Sequence, residues 1–345
     1  MEDQNTQSQV PASALATSQT HFFEFIDLYH LVHQKNTCFS FSKLKNCQDN
    51  NCPSLTVQFL NQNTCFYLIR HALDLNILSN KQIQNVLSIQ IQIESRIQRE
   101  CLEQRLAQFK QFCKTFKTCP NLISFQLRCS FKQSEFLLEI PFIFHSHTST
   151  HTLSKIALYF TVQDTFLSNV QTAQSFFNDL SLFKSLKILT LGLVGNKIDD
   201  TIMVFLSNCI SSLPLQQLNL YLPYNQIDKL GVQLLCQSIA NLRQHLLKLE
   251  LLLEHNDFIL DSNTCVTFIT FISQCLLLRS IYLKLGSHRV NASYIEILNT
   301  GKQISSLLSK LVFLSCLTLI SFRQILIRED ILIRKISRLT SLFID

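Results

Sequence analysis

Between Leu186 and Phe258 the apolar positions change rhythm in the same way three times. Leu186-x-x-Leu189-x-Leu191-x-Leu193-x-x-Asn196-x-Ile198 is followed 29 residues later by Leu215-x-x-Leu218-x-Leu220-x-Leu222-x-x-Asn225-x-Ile227, and 31 residues after that by Leu246, Leu249, Leu251, Leu253, Asn256 and Phe258. The Leu-x-Leu-x-Leu part has period two, which sends alternate side chains to one face of a short strand. The pattern then turns helical: Leu206, Ile210 and Leu213 in one copy, Leu235, Ile239 and Leu242 in the next. Each copy is therefore one strand followed by one helix with a single apolar face.

The template extends in both directions. Forward it meets Leu278, Ile281, Leu283, Leu285, His288 and Val290, then Leu314, Leu317, Leu319, Gln324 and Leu326; backward it meets Leu153, Ile156, Leu158, Phe160 and Gln163. Looser copies start near Leu122 (Phe125, Leu127, Cys129) and Val86 (Ile89, Ile91, Ile93). Leu339-x-x-Leu342-x-Ile344 opens a further copy without its second half, which leaves an unfinished array and a truncated sequence as alternatives. A recurrence of 20 to 50 residues marks a solenoid, in which each unit buries its face only against its neighbours.

The polar exception inside each copy carries its own expectation. An asparagine amide both donates and accepts, so Asn196, Asn225 and Asn256 should satisfy backbone groups of adjacent coils that water cannot reach. Gly231 stands where the neighbouring copy has Ile202, a sign of irregular stacking.

These motifs resemble the ribonuclease-inhibitor-like class of leucine-rich repeats, with the best match over 153–326. The resemblance implies an α/β horseshoe with parallel strands on its concave face and helices on its convex face. Two departures stand out: an extra Leu-x step before the asparagine (Leu193, Leu222, Leu253), and replacement of the asparagine by Gln163, His288 or Gln324. The domain reading is a disordered tail over 1–20, a helical cap over 21–51 built on Phe22, Phe23, Phe25 and their apolar neighbours, and the repeat array over 52–345.

Composition narrows the setting. Hydrophobic residues make up 47% of the 345 and charged residues 16%, yet the longest apolar run, 311–322, is about half of what a bilayer requires. The start, Met1-Glu2-Asp3-Gln4, has neither the basic nor the apolar part of a signal peptide, which predicts a cytosolic or nuclear protein. Thirteen cysteines fall singly in apolar stretches and read as buried thiols in a reducing compartment. The net charge of +6 is spread evenly, a weak footprint for nucleic acid.

Candidate chemistry is sparse. Five glycines cannot assemble a phosphate-cradling loop or a nucleophile elbow, and no catalytic residue is expected. Asp199-Asp200 reads as a helix N-terminus. The imidazoles of His145, His147 and His151 have no cysteine or carboxylate near them and read as a polar loop; no metal or cofactor is expected. The basic amphipathic stretch 96–117 reads as the solvated back of a helix.

The outward strand slots are more informative: Gln126 and Arg128, Ala157 and Tyr159, Thr190 and Gly192, Asn219 and Tyr221, Glu250 and Leu252, Tyr282 and Lys284. Three of the seven tyrosines fall there, and tyrosine combines contact area with a hydroxyl at little entropic cost. The expectation is a non-catalytic scaffold binding a protein partner on the concave face through Arg128, Tyr159, Tyr221, Glu250, Tyr282 and Lys284. The alternatives are a regulator of a small GTPase or other enzyme, which the repeat class also contains, and an RNA-binding solenoid in which bases stack on the tyrosines.

Overall fold

A computed structural model describes residues 55–61, 64–69, 88–93, 122–130, 152–161, 167–258, 262–286, 294–320, 339 and 341–344. All of them lie within Asp49–Asp345. They form one sheet whose strand order follows the chain: β1 (Leu55–Asn61), β2 (Thr64–Ile69), β3 (Ser88–Ile93), β4 (Ser124–Ser130), β5 (Lys155–Thr161), β6 (Ile188–Val194), β7 (Gln217–Tyr221), β8 (Lys248–Leu252), β9 (Ser280–Lys284), β10 (Cys316–Ile320) and β11 (Ser341–Ile344). From β2 to β11 every pair is parallel. The β1–β2 pair is antiparallel, a hairpin the repeat template does not anticipate.

Helices α1 (Val170–Leu180), α2 (Asp200–Ser211), α3 (Lys229–Asn241), α4 (Ser262–Ile272) and α5 (Tyr294–Leu308) fill the connections from β5 to β10. Strand and helix interlock through the leucines. Leu189, Leu191 and Leu193, Leu218, Leu220 and Leu222, and Leu249, Leu251 and Leu253 are buried, as are Leu206, Ile210, Leu235 and Ile239 on the facing helices. The expected register holds residue for residue: Leu191 pairs Leu220, which pairs Leu251, which pairs Leu283. It also holds in the looser copies, where Ile89 pairs Phe125, and at the end, where Leu317 pairs Leu342.

The asparagine ladder is present. Asn225 Nδ2 donates to the carbonyls of Leu193 (2.8 Å), Leu222 (3.0 Å) and Pro223 (3.2 Å), while its Oδ1 accepts from the Ile198 N–H (3.1 Å). Asn256 repeats this with Leu222 (2.9 Å), Leu253 (2.7 Å) and the Ile227 N–H (3.2 Å). Asn196 donates to Phe160 and Val194. The substituted slots Gln163, His288 and Gln324 lie outside the described residues.

The residue before each asparagine must turn left-handed: Gly195 (φ 68°), Tyr224 (φ 57°) and His255 (φ 58°). Glycine does this freely, whereas a side chain there costs roughly 1–2 kcal/mol. Helix entry is fixed by aspartates as expected. Asp199 Oδ1 accepts from the Ile202 N–H, and Asp200 Oδ1 accepts from the Asp228 N–H of the next coil. A Cβ on Gly231 would collide with that Asp200 carboxylate, which accounts for the glycine.

Two substitutions test this core. Leu220→Asp places an unpaired charge in a fully buried slot and should abolish the cooperative melt seen by circular dichroism. Asn225→Ala leaves buried backbone groups without partners and should lower stability by about 1–3 kcal/mol, read as a shifted urea midpoint.

Candidate functional site

The six expected contact residues fall into two adjacent rows on the sheet face opposite the helices. One row runs Arg128, Tyr159, Gly192, Tyr221, Leu252, Lys284; the other runs Gln126, Ala157, Thr190, Asn219, Glu250, Tyr282. Tyr282 thus shares the face of Tyr159 and Tyr221 but stands in the neighbouring row.

Close coil spacing makes each row stack on itself. The Arg128 guanidinium lies 4.9 Å from the centroid of the Tyr159 ring. That ring reaches across β6 to the Tyr221 ring, 6.3 Å away and within 16° of parallel. Gly192 makes this possible, since a Cβ there would come within 2.7 Å of Tyr159 Cδ1. Sequence reading placed Gly192 in an outward slot without seeing its use; a glycine flanked in register by two tyrosines is the signal that was available.

The stacking corrects one expectation. Tyr159 is 3% exposed and Tyr221 6%, so neither is the free surface ring that alternation alone implied. Thr190 and Asn219 are buried beside them, with Asn219 Nδ2 donating to Thr190 Oγ1 at 3.0 Å.

Accessible chemistry shifts to β8 and β9, where Glu250, Tyr282 and Lys284 are each half-buried. Burial raises the Glu250 carboxyl above its usual range, against the opposing pull of Lys248 (3.7 Å) and a hydrogen bond from the Tyr221 hydroxyl. Tyr282 is pushed up to about 12, first by burial and then by the charges of Glu250 and Glu254. Lys284 pairs Glu254 at 2.7 Å. Just beyond the strand ends, Tyr224 and His255 stack with centroids 4.3 Å apart and planes 7° from parallel.

Among the described residues no group of three or more His, Cys, Asp or Glu side chains is placed to hold a metal ion, and no helix is long and apolar enough to cross a membrane. His145, His147, His151 and the stretch 96–117 lie outside those residues. Cys209, Cys236, Cys265 and Cys275 are buried thiols outside any disulfide. Burial lifts the thiols of Cys209, Cys236 and Cys275 to about 12, which leaves them unreactive packing groups.

No family model matches the chain, and no curated protein matches it in sequence. Among solved structures it is similar to an internalin from Listeria monocytogenes, at 14% identity and a TM-score of 0.35, over 81% of this chain and 82% of the other. The chain's own register and packing define its class: an open α/β leucine-rich-repeat solenoid with the strands on one face and the helices on the other.

Two measurements probe the stacked row and its neighbour. Gly192→Ala should displace the Tyr159 ring and cost about 1–3 kcal/mol, and a double-mutant cycle with Tyr159→Ala should show coupling between the two positions. Tyr282 keeps its proton to about 12 when folded, whereas an unfolded tyrosine loses it near pH 10. Its contribution to stability is therefore complete below pH 10 and is lost as pH rises toward 12. Tyr282→Phe should flatten the stability profile in that window and leave it unchanged at pH 8.

Proposed function

We propose that this chain is a non-catalytic scaffold that holds a protein partner on the inner sheet face of the solenoid. The observation that carries this reading is the alignment of Arg128, Tyr159, Tyr221, Glu250, Tyr282 and Lys284 in two neighbouring rows of one face. Tyr159 and Tyr221 form a stiff floor, and Arg128, Glu250, Tyr282 and Lys284 are the groups a partner meets. Their mixed charge calls for a partner of mixed charge, and the raised Glu250 carboxyl favours one that donates a hydrogen bond to it. A helix in every connection from β5 to β10 supports a ribonuclease-inhibitor-like repeat, and a cytosolic or nuclear location fits the free thiols.

The test is quantitative affinity purification from native extract with paired variants. Tyr282→Ala with Lys284→Ala should weaken retention of the specific partner by about 2 kcal/mol, the size expected for an interface anchor, while the folded circular dichroism spectrum is preserved. Gln233→Ala with Gln237→Ala, exposed on the helical side, should leave retention intact. Loss with the helical pair and none with the strand pair would place the partner on the convex surface. Release of the partner by ribonuclease would instead assign the face to RNA.

A further inference from the structure

The solenoid has two edges, and their chemistry differs. Where the chain leaves the strands toward α2, α3 and α4, the described loops and first helical residues carry Asp199, Asp200, Asp228, Glu254 and Asp257 against Lys197 and Lys229. Helix entry explains much of this, since Asp199 and Asp228 cap α2 and α3.

The opposite edge, where the chain enters the strands, spans 122–123, 152–155, 181–187, 212–216, 242–248, 273–279 and 309–315. It contains Lys155, Lys184, Lys187, Arg243, Lys248, Arg279 and Lys310 and no aspartate or glutamate, with Lys248 paired to Glu250 of the sheet face at 3.7 Å. Helix ends account for one of these cations, Lys184, whose Nζ donates to the carbonyl of Ser212 at the end of α2 (3.3 Å); no basic residue occupies the last turn of any of the five helices.

The same edge gathers the exposed apolar side chains. Six of the ten exposed large hydrophobics among the described residues lie on it: Ile123, Leu182, Leu276, Leu277, Val312 and Phe313. Chance packing would scatter them over both edges and the helical face. Leu276-Leu277 and Val312-Phe313 occupy equivalent turns of successive coils, just before the buried Leu278 and Leu314; one coil earlier those places hold Gln244 and His245. Strand starts are level here, Lys248 pairing Ser280 and Ser280 pairing Cys316, so the tips stand side by side.

From this juxtaposition we infer that the helix-to-strand edge is a peripheral docking surface for an anionic membrane. Cations facing lipid phosphates, with leucine and phenylalanine tips entering the headgroup boundary, are the two parts such binding needs. A flat surface suits a level edge whose apolar groups protrude from turns, whereas a protein anchor would require a matching pocket for each tip. A nucleic acid would use the cations but gain nothing from Leu276, Leu277 and Val312. This surface is separate from the sheet face proposed above.

The test is co-sedimentation of the full chain with phosphatidylcholine vesicles, with and without phosphatidylserine. Retention should require the anionic lipid and fall with added salt. Arg279→Glu with Lys310→Glu should reduce it at least about tenfold, and Leu276→Ser with Phe313→Ser should reduce it while preserving the circular dichroism. The chain has no tryptophan, so Phe313→Trp supplies a single conservative reporter whose emission should shift to the blue on anionic vesicles alone. Absence of both retention and shift, or equal retention on neutral vesicles, overturns the proposal. So does retention on immobilised polyuridylate that survives the apolar substitutions while vesicle binding is absent.

Discussion

Each parallel strand of this protein has to meet its neighbour without a slip of register, and the remaining features are consequences of that requirement. A shift of one residue would turn every leucine of a strand outward. The leucines enforce alignment along the strand, and the asparagines enforce it at the strand exit, where Asn225 bonds backbone groups of its own coil and of the previous one. Alignment in turn produces rows, and rows bring Tyr159 onto Tyr221 and level the turns that carry Leu277 and Phe313.

The parts legible in the sequence were those set by local period. Strand positions, core leucines, the asparagine ladder and the aspartate helix entries all follow from alternation, helical spacing and hydrogen-bonding capacity, and the structure places them as read. Even Leu339-x-x-Leu342-x-Ile344 adds its strand in the expected place. The β1–β2 hairpin was not legible, because Val57 and Phe59 alternate as any strand does and nothing in a period of two encodes strand direction.

The candidate site was legible by position and misread in exposure. Alternation assigns a side chain to a face, but burial on that face depends on neighbours in other coils, about 30 residues away in sequence. Tyr159 is covered in part because position 192 is glycine, a relation visible only when the strands are laid side by side. The contrast between the two edges was hidden for a similar reason: the net charge is modest and evenly distributed along the chain, and the edge without carboxylates emerges only when successive turns are stacked.

Sheet order that follows chain order strand by strand has a bearing on how disturbances travel. Each coil is coupled to the coil before and the coil after, as in a row of dominoes, so a local opening spreads by consecutive steps and fades with distance. Hydrogen exchange in such a molecule forms a gradient, slowest in the central coils around β6 to β8 and faster toward either end of the stack. An event on the β10 coil can therefore soften or stiffen Tyr282 next door on β9 while leaving Tyr159, four strands beyond Tyr282, nearly untouched.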